Sequence, residues 1–385
     1  MKVAPKKIKA KVKNVPKAKS KASPRKQKAP LKTKKAISSK KTAEAYHLQK
    51  FGGNPIVEPK TERSWESKAT FNPAALYADG KVHILYRAIG DSDMSVLGYA
   101  SSADGVHIDE RGESPAYVPR EAFEGVARPT AITEPATHFI SGGGGWGGVE
   151  DPRLTRIDDT IYMTYVAFNG WEPPRVALSS IAVEDFLAKQ WHKWSKAFLI
   201  SPPGVVDKNA VIFPEKINGK YVILHRIYPD ILIDYVDDLR FDGKTKWLKD
   251  MHRIKPRPNF WDSHKIGAGA PPIKTKDGWL LIYQAVGKKD SSRYKIGAML
   301  LDLNDPSRVI ARSKNPILEP KEQYENWGWK FGVVYPCGAV VIKDRLFVYY
   351  GGADKVTCVA SADLNEFMEE LIKDKAPKLR KEKIA

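Results

Sequence analysis

Asp151 stands immediately before a proline in the run Gly148–Tyr165 (GVEDPRLTRIDDTIYMTY), and it is the one well-placed carboxylate beside three cations, Lys208, Arg226 and Lys265. Hydrolysis of a glycosidic bond by water normally draws on two carboxylates, one as acid and one as base or nucleophile. A nucleophile that is already an anion, such as phosphate, needs no base. It needs cations to hold it, Arg supplying a planar fork and Lys a point charge. A single acid among cations therefore points toward attack by an anion. Asn72, which also precedes a proline, and Arg87, His225 and Asp354 stand at corresponding places of other segments.

What must position these residues is a phrase that recurs five times: a proline, a short apolar stretch, a turn pair, then a β-rich stretch ending in an aromatic residue or His. The prolines are Pro73, Pro152, Pro214, Pro272 and Pro336. The turn pairs are Asp79-Gly80, Asp158-Asp159, Asn218-Gly219, Asp277-Gly278 and Lys343-Asp344, mostly residues that tolerate the positive φ of a tight hairpin. Alternation such as Val82, Ile84, Tyr86 follows each turn, the period of a strand. The spacing leaves room for two more strands per unit, for instance Ser95–Ser101, Arg175–Ile181, Ile231–Tyr235 and Lys295–Asp302. Five four-stranded units predict an all-β chain, a five-bladed β-propeller whose innermost strands present their first residues around one mouth of a central channel. Leu364, Phe367, Met368, Leu371 and Ile372 follow helical spacing behind Asp363, with Glu366 completing a loose capping box.

Charge divides the chain further. Its 385 residues carry a formal charge of +19, from 64 Lys and Arg against 45 Asp and Glu. Residues 1–42 hold 17 of the basic residues and no acid, which leaves 47 basic against 45 acidic residues, a charge of +2, for the rest. So basic and apolar-poor a segment cannot offset the entropy of ordering. The expected organisation is a disordered arm over 1–43, a propeller over 44–363, and a helix with a basic tail over 364–385. The arm lacks the apolar centre of a secretory signal, and no stretch of about 18 apolar residues occurs, so a cytoplasmic protein without a membrane span is expected. Two cysteines, Cys337 and Cys358, read as reduced core residues and exclude a disulfide framework.

The run Gly148–Tyr165 resembles the signature of glycoside hydrolase family 130, the β-mannoside phosphorylases and related mannosidases. Phe213–Tyr221 (FPEKINGKY), Lys265–Pro272 (KIGAGAPP), Asp302–Ser307 (DLNDPS), Pro316–Pro320 (PILEP) and Tyr335–Ala339 (YPCGA) extend the likeness across the body. The resemblance implies a five-bladed propeller and an inverting phosphorolysis of a β-mannosidic bond, with inorganic phosphate as co-substrate, giving α-mannose 1-phosphate; the eight histidines show no His-Glu-x-x-His and no paired ligand spacing, so no metal or other cofactor is expected. It assigns the general acid to Asp151, acting through a sugar hydroxyl. It assigns phosphate binding to Lys208, Arg226, Lys265 and Tyr283, and the mannosyl ring to Asn72, Arg87 and Asp354. Lys208 stands where some members have Arg, Gln284-Ala285 where members commonly have His-Gly, and Asn326–Phe331 departs from the usual approach to the last blade, which bears on phosphate geometry and acceptor choice.

Other signals are weaker. The glycine run Gly142–Gly148 is not followed by Gly-Lys-Ser/Thr and leads into a strand, so it lacks the context of a phosphate loop. Trp146, Trp171, Trp261, Trp327 and Trp329 could stack on sugar rings or pack between blades. Tyr86, Tyr165 and Tyr349 read as core. Two other readings of function stay open: a β-mannosidase using water, and a non-catalytic carbohydrate- or nucleic-acid-binding propeller. Nonspecific polyanion contact is expected of residues 1–42 alone, and a homo-oligomer is compatible with the sequence.

Overall fold

In the computed structural model, residues 47–126 and 144–374 are described. The basic arm, the first two glycines of the run Gly142–Gly148 and the basic tail lie outside them. The regular structure of the described chain is almost all antiparallel strand, with short helical turns between sheets and a helix at Leu364–Lys373. Five meanders follow one another. The first comprises Ala69–Ala78, Lys81–Ile89 and Met94–Ser102, edged by Glu110–Arg111; the second Gly147–Ile157, Thr160–Phe168, Arg175–Ala182 and Phe198–Leu199. The third is Asp207–Ile212, Tyr221–Ile227, Ile231–Val236 and His252–Ile254. In the fourth, Lys265–Ala268 and Ile273–Thr275 both pair with Gly278–Gly287, followed by Asp290–Leu301 and Val309–Arg312. The fifth, Val334–Ile342, Arg345–Gly352 and Val356–Asp363, is completed by Gln49–Lys50 from the other end of the described chain.

The turn chemistry accounts for the hairpins. Asp79 and Gly80 lie at φ 46° and 73°, Asn218 and Gly219 at 51° and 79°, and Lys343 and Asp344 at 47° and 63°. These are the two left-handed positions that a two-residue hairpin needs to match strand twist. The first two meanders are joined more closely than four separate strands apiece would suggest: Met94 and Ser95 pair in parallel with Gly147 and Gly148, making one continuous sheet. Gly148 permits that approach, since a Cβ there would stand 2.2 Å from the Ser95 carbonyl oxygen.

The first strands of the first three sheets contact one another in chain order, and that of the third contacts Lys265–Ala268 of the fourth. The fourth sheet meets Val334–Ile342 through Gly278–Gly287 and Asp290–Leu301, and Val334–Ile342 contacts Ala69–Ala78 of the first. Apolar residues fill the spaces between sheets. Ala74, Leu85 and Leu97 cluster with Met163 and Phe186, Val211 and Leu224 with Trp279 and Leu281, and Ile84 and Tyr86 with Tyr349 and Val359. Tyr86, Tyr165 and Tyr349 are buried as expected, and so are Cys337 and Cys358, both free thiols. The helix Leu364–Lys373 packs Phe367, Met368 and Leu371 onto the last two sheets, and the Asp363 side chain accepts the Glu366 N–H at 3.0 Å. Among the described residues no helix is long and apolar enough to cross a membrane.

Candidate active site

Four of the five first strands lose register at the same level: between Phe71 and Ala74, Glu150 and Arg153, Lys208 and Val211, and Pro336 and Gly338. A bulge leaves residues without a partner across the ladder and re-aims their side chains. In the first three sheets the displaced positions include Asn72, Asp151 and Asn209, at φ 49°, 49° and 59°, and Asp354 in the fifth sheet's second turn lies at φ 52°. Asn and Asp are the side-chain-bearing residues that visit this region most readily. Backbone held there persists only where the surroundings over-determine it, and such positions cluster at functional sites.

The bends converge. Asn72, Asp151 and Asp354 line one cavity of about 60 Å³ together with Lys208, Arg226, Tyr294, Lys330, Val333 and Tyr335. Asp151 Oδ1 accepts from Asn72 Nδ2 at 2.7 Å and lies 3.3 Å from Arg87 Nη1. Beneath it, Arg153 Nη1 donates to the Asp151 carbonyl at 2.7 Å and Nε to the Gly269 carbonyl at 3.1 Å, tying the second sheet to the fourth. Burial alone would raise the Asp151 carboxyl, but Arg87, Arg153 and the Asn72 hydrogen bond outweigh it, and the acid is held below its ordinary range. Asp354 behaves oppositely. Burial, with Asp151 nearby and only partial relief from Lys330, pushes it up to about 6. Two carboxyl groups on one wall thus differ in readiness to hold a proton, a separation typical of sites that move one.

The cations form the facing side. Lys265 Nζ sits 4.8 Å from the centre of the Tyr294 ring and Lys330 Nζ 4.5 Å from it. Burial would raise the Tyr294 phenol, yet Lys330, Arg226 and Lys265 together bring it below its usual value. Lys208 reaches Glu150 at 3.8 Å. Among the described residues no carboxylate comes within 4.0 Å of the charged atoms of Arg226, Lys265 or Lys330. Three clustered cations without acidic partners repel one another and attract an anion. Nearby, Asn209 donates to the Tyr335 hydroxyl on the cavity wall. A Cβ on Gly267 would meet Asn209 Oδ1 at 2.5 Å and Gln284 Nε2 at 2.7 Å. Asn72 Oδ1, Asn209 Oδ1 and both polar atoms of Gln284 are buried without a protein partner, the condition that calls for a ligand or water.

Several expected residues sit elsewhere. Tyr283 is outside the cavity: its hydroxyl donates to Asp262 at 2.9 Å, with Arg312 Nε 3.3 Å away, and its ring stacks on Trp261. Strand alternation sets this, because neighbouring side chains point to opposite faces and Gln284 takes the face toward Asn209. Arg87 is fully buried behind Asp151, reaching Glu150 at 3.2 Å, Ser95 at 3.0 Å and the Gly144 carbonyl at 3.0 Å, so it supports the acid rather than lining the cavity. Lys265 touches the site through the Tyr294 ring. His225, expected at the mouth, turns into the third sheet between Asp207 at 2.7 Å and Asp234 at 3.1 Å. Burial would lower the imidazole, but the two aspartates raise it to about 9, so it stays charged. Tyr294 and Lys330 carry no signal in the spacing that singled out the others, whereas Tyr335, directly before Pro336, shares the position of Asn72 and Asp151.

Across residues 47–373 the chain matches the profile of a glycoside hydrolase 130 group described as beta-1,4-mannooligosaccharide phosphorylase. It is 40% identical over 329 residues to a 1,2-beta-oligomannan phosphorylase of Thermoanaerobacter sp. (strain X514), a match covering 83% of this chain and 98% of the relative. A beta-1,2-mannobiose phosphorylase of the same organism is 38% identical over 325 residues, 80% of this chain and 95% of its own length. Among solved structures, the beta-1,2-mannobiose phosphorylase of Listeria innocua in complex with beta-1,2-mannobiose superposes with a TM-score of 0.65 at 26% identity, over 84% of this chain and 99% of the other.

Proposed function

The chain belongs to glycoside hydrolase family 130, and on that premise we propose that it cleaves β-1,2-mannosidic bonds of short oligomannosides with inorganic phosphate, giving α-mannose 1-phosphate and a shortened acceptor. The observation that carries this reading is the set of cations Arg226, Lys265 and Lys330, which have no carboxylate within 4.0 Å among the described residues and gather about Tyr294 on the side of the cavity that faces Asp151. The 1,2 linkage follows the names of the relatives at 38–40% identity. Contact of the five meanders in chain order, with the fifth closing on the first, supports a five-bladed propeller with this cavity at one mouth.

In this account Lys208, Arg226, Lys265 and Lys330 hold phosphate, the last two with their Nζ atoms 4.8 and 4.5 Å from the centre of the Tyr294 ring. A phosphate oxygen attacks the anomeric carbon from the face opposite the leaving oxygen. The C1–O bond breaks, its electron pair goes to that oxygen, and a proton from Asp151 neutralises it by way of a sugar hydroxyl. Asn72 and Arg87 fix the Asp151 carboxyl through Oδ1, which leaves Oδ2 for the proton. Phosphate bound at Lys208, one of the cations that lower Asp151, brings negative charge near the acid and raises it toward the protonated form. Asp354, which keeps a proton more readily, offers a hydrogen-bond donor to the mannosyl ring.

Synthesis in the reverse direction tests this. α-Mannose 1-phosphate and mannose should yield a disaccharide whose linkage, read by NMR, is β-1,2. A β-1,4 product corrects the linkage, and no product with any mannoside acceptor removes the reading.

A further inference from the structure

A cavity of about 60 Å³ is far below the ~300–1,000 Å³ of a usual small-molecule site. It has no room for phosphate, a mannosyl ring and a leaving oligosaccharide together, so the leaving part must lie against the rim. One stretch of that rim is built unusually. Trp327, Trp329 and Phe331 are 70%, 44% and 63% exposed, three large aromatic side chains in five residues, while Lys330 between them turns into the cavity. The stretch is tied down at both ends. Lys330 N–H donates to the Ala353 carbonyl at 3.1 Å, directly before Asp354, and Tyr294 N–H donates to the Gly332 carbonyl at 3.0 Å. The Trp329 indole lies against Gly144: a Cβ there would fall 1.6 Å from the ring. The Gly144 carbonyl in turn accepts from the Arg87 guanidinium that holds Asp151. Indole, glycine, arginine and acid therefore stack from solvent inward.

We propose that Trp327, Trp329 and Phe331 form an acceptor platform, on which the sugars beyond the scissile bond of an oligomannoside stack. Exposed large aromatic side chains beside a cavity mark a ligand surface, and their chemistry suits this occupant. In a β-mannopyranosyl ring the C–H bonds at C1, C3 and C5 project from one face, giving an apolar side that an indole covers while the hydroxyls stay in water. The placement also couples the two substrates, because a sugar settled on Trp329 and Phe331 fixes the strand of chain that aims Lys330 at phosphate. The inference rests on the phosphorolytic reading for its ligand and extends it to the length of chain preferred.

The test compares β-1,2-mannobiose and β-1,2-mannotetraose as substrates of the full chain with phosphate. The wild type should show a lower KM for the tetraose. Trp329→Ala and Trp327→Ala should each raise the tetraose KM about tenfold, in the range of aromatic stacking, with a smaller rise for the biose. Equal changes for both lengths, or none, would overturn the platform. Trp327 is the most exposed of the three, so its variant keeps the test sound if Trp329→Ala unfolds. Quenching of tryptophan fluorescence by mannotetraose without phosphate supplies a readout that needs no turnover: binding that the variants lose supports the platform even if the wild type proves inactive, which would count against phosphorolysis alone. Self-association through this patch would appear as a concentration-dependent mass abolished by the same variants, and would overturn the proposal.

Discussion

Replacing Asp151 by Asn isolates the proton from everything else that residue does. Both contacts of its carboxylate, Asn72 Nδ2 at 2.7 Å and Arg87 Nη1 at 3.3 Å, fall on Oδ1. An amide can set its carbonyl oxygen in that place and keep both donors satisfied, with its NH₂ toward the cavity. The left-handed backbone at φ 49° is one that Asn adopts as readily as Asp. The variant should fold, with an unfolding midpoint below that of the wild type at neutral pH, because the lowered Asp151 carboxyl stabilises the fold through Arg87 and Arg153 and the amide does not carry that charge. What it lacks is an acid, and general acid catalysis is worth roughly 10²–10⁴ in rate, about 3–5 kcal/mol of barrier. Loss of a negative charge beside Lys208 and Arg226 should leave phosphate binding as tight or tighter. The assay is initial release of mannose 1-phosphate from β-1,2-mannobiose over a range of phosphate concentrations. Expected is a kcat reduced at least a hundredfold with an unchanged or lower KM for phosphate. A variant retaining more than a tenth of the wild-type kcat would refute the assignment of the acid.

Arg226→Ala should raise the KM for phosphate roughly ten- to hundredfold, the value of a charge-assisted hydrogen bond, and added salt should weaken the wild type more than the variant; an unchanged KM in phosphate titrations removes Arg226 from the anion site. His225→Gln should destabilise the fold by about 3–5 kcal/mol, because it leaves Asp207 and Asp234 without their shared cation. The imidazole is raised from 6.5 to about 9 by those aspartates, so its contribution is full below pH 6.5 and is lost as pH rises through 9; urea melts in which the two proteins converge toward pH 10 would show it, and parallel curves would not. Asp354 is raised from 3.8 to about 6, so its ionisation opposes folding above pH 6 and has no effect below about 4. Asp354→Asn should accordingly melt higher at pH 8, by at most about 3 kcal/mol, match the wild type at pH 4, and lose mannoside turnover; a variant less stable at pH 8 contradicts the placement.

The hairpins were legible because each turn pair combines residues that accept positive φ, and the left-handed Asp79-Gly80, Asn218-Gly219 and Lys343-Asp344 match that expectation. Asn72 and Asp151 were legible through their prolines, which mark where the first strands bulge. Arg226 and His225 could not be told apart in the sequence. They are adjacent on one strand, and sequence places both at its end, but the pleat sends one to the cavity and the other between two buried aspartates. The same parity turned Tyr283 away and left Gln284 facing Asn209. Tyr294 and Lys330 were invisible for another reason. One lies mid-strand in Asp290–Leu301 and the other in a loop without periodicity, and only the packing of the fourth sheet against the fifth brings them together over one ring.

The central claim is that phosphate, rather than water, breaks the bond. Incubating the enzyme with β-1,2-mannobiose in the presence and absence of inorganic phosphate, and following products by ³¹P and ¹H NMR, tests it most directly. The account predicts α-mannose 1-phosphate and mannose in equal amounts with phosphate, and essentially no cleavage without it. Free mannose released at the same rate in both samples, with no phosphorylated sugar, would contradict it.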